Sequence, residues 1–403
     1  MESIIEGIML AEKVRSDFPI LNRADHGNKL VYLDSAATAL KPQAVIDAVV
    51  DVLSNKTANI HRSVHHLGDL ATAAFESSRK TTADFIGADA HEIVFLRNTT
   101  EALNLVALGW PEDGAQVISI GEHHSNLLPW RQKVRKLLPR LDGNFDEAAL
   151  QRELERGGVR VVSVSHISNV LGCQNDIATL ADLCHAHGAI LVVDAAQSVP
   201  HQRVDVYDLN CDFLAFSGHK LGAPSGVGVL FGKAELLERI AWHQHGGSTV
   251  EEVHAESVTP KDIPWRLEAG TPAIESVVGL AAAIKFLDSL GMDRVHANQL
   301  AIANYALKQI QARLPTMSIL GPIDVERTGP ISMVQRAVSP HLLARGLSDR
   351  YQVCSRSGFH CAQPLHEFLG VPASLRLSFY VYNTIEEIDL AIDAIERLLA
   401  LNS

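Results

Sequence analysis

Between Ile93 and Gly232 short apolar runs alternate with segments of helical spacing, and this alternation constrains the fold more than any other feature of the chain. Ile93–Leu96, Val117–Ile120, Val159–Val164, Ile190–Val193, Phe213–Phe216 and Val227–Phe231 are too short for buried helices and read as buried strands. Strands apolar on both faces, separated by helices, predict an α/β fold with a mostly parallel sheet. Asp176–His187 is a plausible crossover helix, with an acidic cap at its start and Gly188 at its end. At 403 residues the chain exceeds what one core usually serves, so a second, smaller domain is expected.

After Gly270 the texture changes to long helical patterns, Glu275–Leu290 and Met292–Leu314, followed by shorter elements and a last helix from Glu386. Thr384 and Glu387 have capping-box spacing for that helix. The expected division is a large domain over 30–290 and a smaller α+β domain made of 1–29 and 291–403.

A formal charge of −12 argues against nucleic-acid or anionic-membrane partners. The one basic cluster, Arg131 to Arg140, reads as a solvated helix face. Met1 to Arg15 fits neither a secretory signal nor an Arg-rich transit peptide, and no run is long and apolar enough to span a membrane. A cytoplasmic location is the default expectation. The five cysteines include no CxxC pair, which suggests neither a disulfide framework nor a thiolate zinc site. Cys184, His185 and His187 are better explained by a solvated helix end than by a metal.

Four polar features follow predicted strands, where an open α/β sheet presents its ligand crevice. Asn98-Thr99-Thr100-Glu101 opens an apolar helix and can offer N–H groups and hydroxyls to a phosphate, although an ordinary N-cap explains the same residues. Asp194, before Ala195-Ala196-Gln197, can hold a pyridine nitrogen protonated or can cap a helix. Ser217-Gly218-His219-Lys220 places a lysine where it can bind a cofactor aldehyde, with a surface lysine on a tight turn as the alternative. The glycines that follow do not form GxGxxG, so a dinucleotide loop is disfavoured. Glu122-His123-His124 offers an imidazole to stack on a cofactor ring; adjacent histidines with no third ligand make a poor metal site, and no metal is expected.

These motifs resemble the group II, SufS/CsdA-like cysteine desulfurases of the class V aminotransferase superfamily. The resemblance spans nearly the whole chain, through Leu33-Asp34-Ser35-Ala36-Ala37-Thr38, Asn59-Ile60-His61-Arg62, Ser168-Asn169-Val170, Glu268-Ala269-Gly270-Thr271-Pro272 and His360-Cys361-Ala362-Gln363-Pro364 as well as the four features above. It implies the fold type I of pyridoxal-phosphate-dependent transferases, with a seven-stranded sheet, and pyridoxal 5'-phosphate as cofactor. Lys220 would bind the cofactor aldehyde, His123 stack on its ring, Asp194 pair with its nitrogen and Gln197 contact its phenolic oxygen. Thr99, Thr100, Ser217 and His219 would serve the phosphate, and Thr271 the phosphate of a neighbouring subunit, which implies a homodimer. Ala37, Asn169, Arg356 and Arg376 would line the substrate site. Cys361 would take sulfur from L-cysteine as a persulfide and pass it to an acceptor protein, for iron–sulfur cluster assembly or other sulfur trafficking.

Arg356-Ser357-Gly358-Phe359-His360-Cys361 reads as a polar loop, which disfavours a buried, inert Cys361. Three places depart from the family pattern: Leu221-Gly222-Ala223-Pro224 after the lysine, His245 before Gly246-Gly247, and Phe359 where a polar side chain is common. The rival readings are a selenocysteine lyase, C–S lyase or epimerase on the same fold, and a non-catalytic scaffold that docks sulfur carriers.

Overall fold

The computed structural model describes residues 10–22, 24–25, 28–325 and 327–401. Residues 1–9, assigned above to the smaller domain, lie outside the described residues.

Seven strands build the central sheet: β1 (Ile93–Leu96), β2 (Ala115–Ser119), β3 (Val134–Leu137), β4 (Val159–Ser165), β5 (Ile190–Asp194), β6 (Phe213–Ser217) and β7 (Gly228–Gly232). Their order is β1-β7-β6-β5-β4-β2-β3. β7 is antiparallel to both its neighbours and every other pair is parallel, so all strands but β7 run in one direction. Alternate side chains enter two cores. Val94, Ile118, Val161, Val192, Ala215 and Leu230 face one, while Ile93, Val117, Val162, Leu191, Leu214 and Val229 face the other. This two-sided burial is why the strands read as continuous apolar runs.

The basic cluster at Arg131–Arg140 is a correction. It contains β3 rather than a helix. Among the described residues β3 pairs only with β2, so it is an edge strand, and edge strands carry charge to discourage further pairing. Lys133 reaches Asp113 and Arg135 reaches Glu153, which disperses charges that look helical in the sequence. The crossover helix forms over Ile177–Ala186, capped by Asp176 through Thr179 N at 3.1 Å. Its His185 bonds Asp212 at 2.8 Å.

A second sheet, antiparallel throughout, is made of β8 (Ser318–Ile319), β9 (Ile331–Val334), β10 (Arg356–Gly358) and β11 (Ser374–Leu377), in the order β8-β9-β11-β10. The expected loop before Cys361 is thus a strand up to Gly358. Helices Met292–Arg313, Pro340–Tyr351 and Ile385–Ala400 cover this sheet around a separate core that includes Ile302, Leu347, Leu375 and Ile392. Thr384 and Glu387 make the reciprocal capping box. Among the described residues no helix is long and apolar enough to cross a membrane.

We propose the domain boundary near residue 290. The separate core supports this, since apart from Val31 and Leu33 its buried residues all lie beyond 290; those two join it through the parallel pairing of Val31 with Val353. Leu10, Val14 and Phe18 bury instead in the larger core, where the Phe18 ring lies 5.6 Å from Phe286 and 4.7 Å from Tyr382.

At the edge where these strands end, the backbone of β7 comes close to the start of the helix Thr99–Gly109. A Cβ on Gly228 would lie 2.4 Å from Asn98 Cα, so only glycine fits there. Gly228→Ala should lower stability by about 1–3 kcal/mol through overpacking, read as a fall in the urea midpoint with little change in slope.

Candidate active site

The unidirectional strands deliver their following loops to one edge. The loop after β1 gives Asn98–Thr100, that after β2 gives His123, that after β4 gives Asn169, that after β5 gives Gln197, and the turn after β6 gives Lys220; Asp194 ends β5 itself. The second sheet closes the opposite wall with Arg356 and Arg376, and the turn after β10 adds Cys361. Together they line a cleft of about 300 Å³, whose walls also include Ala37, Ser217 and His219. Thr271 does not line this cleft. It is exposed in a separate cavity with Asn59, Arg62, Gly247 and Lys261.

The sequence dictates each position locally. Asn98 Oδ1 caps its helix by accepting from Glu101 N at 3.0 Å, which leaves the first turn facing the cleft. Thr99 is buried and its hydroxyl lies 2.6 Å from Ser217 Oγ, so this pair ties β6 to the helix start. Thr100 is exposed, with Ser125 Oγ at 2.7 Å. His123 caps the short helix His124–Leu127 by accepting from Ser125 N on Nδ1, at 3.1 Å. An imidazole that accepts on Nδ1 carries its proton on Nε2. Burial, aided by Lys220, His124 and the cleft arginines, pushes His123 down to about 3, so the ring is neutral. His219 is pushed down to about 4 by burial, then by Lys220 and Lys41.

Lys220 sits in the turn Gly218–Lys220. Burial lowers its amine to about 8, against the opposing pull of Asp194 and with further lowering from Arg376. Asp194 is buried and accepts one backbone bond, from Ala196 N at 3.0 Å, and burial raises its carboxyl. Gln197 donates to Ala36 O at 2.9 Å, while its buried Oε1 has no hydrogen-bond partner among the described residues. A buried carboxylate with one partner, an orphaned amide oxygen and a lysine held partly neutral are the groups a pyridine ring with an aldehyde and a phenolic oxygen would satisfy. The residues present therefore fit pyridoxal phosphate.

The arginines are organised by residues that the sequence did not single out for the site. Arg376 is buried; its Nη1 donates to Asn169 O at 3.0 Å and its Nη2 to Asp34 Oδ1 at 3.2 Å. Arg356 lies opposite Arg376 in the β10–β11 register and is 3.6 Å from Asp34 Oδ2. One carboxylate thus separates two like charges, and Arg376 Nε is buried with no hydrogen-bond partner among the described residues. Asn169 Nδ2 donates to His360 O at 2.7 Å, and His124 N donates to Cys361 O at 2.7 Å. The roles of Asp34, His124 and His360 had no separate signal beyond lying in quoted motifs, because they act through backbone and cross-strand geometry.

The Aminotransferase class-V family matches residues 31–390. A cysteine desulfurase from Haloferax volcanii is 41% identical over 411 aligned residues, covering 96% of each chain. The chain belongs to the class-V aminotransferases and, within them, to the cysteine desulfurases. Solved structures agree. The apo cysteine desulfurase of Thermococcus onnurineus superposes with a TM-score of 0.90 at 36% identity, covering 96% of this chain and 98% of that one. The cysteine desulfurase CsdA of Escherichia coli gives 0.86 at 34%, covering 98% and 99%.

For a cysteine desulfurase, the departures take physical form. Gly222 has φ of +95° and passes close to Leu40 O, so a glycine is retained at this turn for its backbone. His245 stacks on Trp242 at 4.2 Å and bonds Trp242 O. The Phe359 ring meets His366 edge-on at 5.8 Å.

Neutral cleft imidazoles carry a pH signature. His123 and His219 take up protons near their ordinary value of 6.5 when unfolded but only near 3 and 4 when folded. Below pH 6.5 the unfolded state binds more protons, so stability should fall as pH drops towards 4. His123→Gln should flatten that decline in urea titrations at pH 7, 6 and 5.

Proposed function

We propose that the chain is a pyridoxal-phosphate-dependent cysteine desulfurase that converts L-cysteine to L-alanine and receives the sulfur on Cys361. The observation that carries this reading is that Lys220 and an exposed Cys361 face one cleft whose far wall holds Arg376. Lys220 would hold the cofactor through its aldehyde, His123 would cover its ring, Asp194 would meet its nitrogen and Gln197 its phenolic oxygen. Thr99, Thr100, Ser217 and His219 would serve its phosphate, Thr100 most directly through its hydroxyl and N–H, since the Thr99 N–H and hydroxyl are engaged by Ser217 and the Glu101 N–H by Asn98. Bound pyridoxal phosphate supplies a sink for the electron pair left on the substrate Cα.

The chain's own residues do the rest. Arg376, with Arg356, Asn169 and Ala37 around it, receives the substrate carboxylate, for which a planar guanidinium is suited. Lys220 Nζ accepts the Cα proton, a task that its lowered amine favours. Cys361 Sγ, as thiolate, forms the S–S bond to the substrate sulfur while the Cβ–S bond breaks with its electron pair going to carbon. Cβ then takes a proton. L-Cysteine plus one protein thiol give L-alanine plus one persulfide, so no outside oxidant is needed.

An exposed persulfide supports transfer to an acceptor protein, for iron–sulfur assembly or other sulfur trafficking, and a location where thiols stay reduced, hence the cytoplasm. The homodimer belongs to the same reading. Its support is that Thr271 is exposed and lines a cavity other than its own cleft, where a second subunit could use it. L-Selenocysteine is the alternative substrate, since the same arginine would receive its carboxylate and the same lysine its α-proton.

Purified protein given L-cysteine should form alanine and a protein persulfide. Cys361→Ala should abolish the persulfide and cut alanine turnover at least about a hundredfold, on the scale of removing a catalytic nucleophile or base, and Lys220→Ala should abolish both. Alanine formation unaffected by Cys361→Ala would move the chain to a lyase or epimerase; absence of visible cofactor absorbance would favour a scaffold. Arg376→Lys should raise KM for L-cysteine about tenfold, or ~1.4 kcal/mol, with a smaller change in kcat.

A further inference from the structure

The turn that presents Cys361 rests on a hydrogen-bond relay whose proton positions can be derived. His360 and Cys361 are consecutive left-handed residues, with φ of 51° and 58°. Side chains other than glycine hold that conformation when their surroundings impose it. Part of the imposition is the pair of bonds from Asn169 and His124 to the His360 and Cys361 carbonyls. The remainder lies beneath the turn. His360 Nε2 and His366 Nε2 are each 2.9 Å from the same Ser374 hydroxyl, and His366 Nδ1 is 3.0 Å from Ala362 O. All three side chains are buried.

A carbonyl oxygen only accepts, so His366 carries its proton on Nδ1. Burial pushes His360 to about 2 and His366 below its ordinary value, so both rings are neutral. A neutral His366 then has a bare Nε2, which accepts the Ser374 hydroxyl proton. That hydroxyl has no second proton to give. Its oxygen must accept Nε2–H from His360, and His360 Nδ1 is left bare. This nitrogen is buried, has no hydrogen-bond partner among the described residues, and belongs to a residue that lines the cleft. The Phe359 ring, in the position that departs from the family pattern, packs at a steep angle against His366 with ring centres 5.8 Å apart.

We propose that Ser374 and His366 are positioning residues for sulfur transfer: they fix His360 as its Nε2–H tautomer and so hold the left-handed turn that sets Cys361 in the cleft. Neither side chain is among the residues that line the cleft. Their effect passes through His360, whose carbonyl and ring are held at the same time by Asn169 and by Ser374. The proposal rests on the desulfurase reading for its activity readout only.

The test uses the pyridoxal-phosphate-loaded chain with 15N-labelled histidine. Long-range 1H–15N spectra of the wild type should show His360 protonated on Nε2 and His366 on Nδ1. Ser374→Ala should break the relay, mix the His360 tautomers, slow iodoacetamide alkylation of Cys361 about tenfold and slow single-turnover persulfide formation by a similar factor. Cofactor loading and the KM for L-cysteine should change little. His360 protonated on Nδ1 in the wild type, or a Ser374→Ala variant alkylated and persulfidated at wild-type rates, would overturn the proposal. The wild-type tautomers decide the matter even if the variant folds poorly. Wild-type protein that forms no persulfide, yet shows the expected tautomers and alkylation change, would sink the desulfurase reading and leave the positioning of Cys361 standing.

Discussion

The cleft depends on one buried guanidinium. Arg376 belongs to the second sheet, donates to the carbonyl of Asn169 on a loop from the first sheet, and pairs with Asp34 from the segment that precedes both. A buried cation must satisfy its donors or incur a large desolvation cost. Satisfying its two Nη groups here requires three separate parts of the chain to converge, so the same charge also fixes how the two sheets meet. Asp34 completes the arrangement by lying between Arg376 and Arg356, which would otherwise repel each other across adjacent strands.

Electrostatics within the cleft follow from the same burial. His123, His219 and His360 are all held below their ordinary range, first by desolvation and then by nearby cations. The imidazoles therefore contribute hydrogen-bonding direction without charge. Among the residues that line the cleft, positive charge lies with the two arginines and the protonated fraction of Lys220, and Asp194, whose carboxyl is raised by burial, stands at the end of β5. Such a separation sets the two arginines on the second sheet apart from Asp194 on the first.

Much of this was legible in the sequence because strands buried on both faces leave uninterrupted apolar runs, and because polar residues that follow such runs have few structural reasons to be there. Lys220, Asp194 and His123 stand out on that ground, and the structure gathers them. β3 was hidden because this edge strand, Val134-Arg135-Lys136-Leu137, sets two adjacent charges between its apolar ends and so lacks the two-residue alternation of a strand, and charge density alone resembles a helix face. β10 was hidden because Arg356-Ser357-Gly358 has no apolar pattern; it is a strand because it pairs with β11, a pairing between residues far apart in sequence. Asp34 and Ser374 were silent for the same reason. Their effects lie in cross-sheet distances that no local pattern encodes.

The five cysteines show how the fold selects one thiol. Cys173, Cys184 and Cys211 are buried, and burial pushes each up to about 12, so their thiolates are scarce at neutral pH. Cys354, half-buried in a short parallel pairing beside Tyr32, is raised as well, by burial and by Asp34. Cys361 alone is exposed. Exposure by itself would leave its position loose, which a reaction between two sulfur atoms at bonding distance does not tolerate. The left-handed pair His360–Cys361 resolves this conflict: its backbone is pinned from the large sheet by Asn169 and His124 and from below by Ser374, while its sulfur stays open to solvent. A rigid support with an accessible tip is what a residue needs if it must first meet a substrate inside a cleft and then release its sulfur to a partner outside.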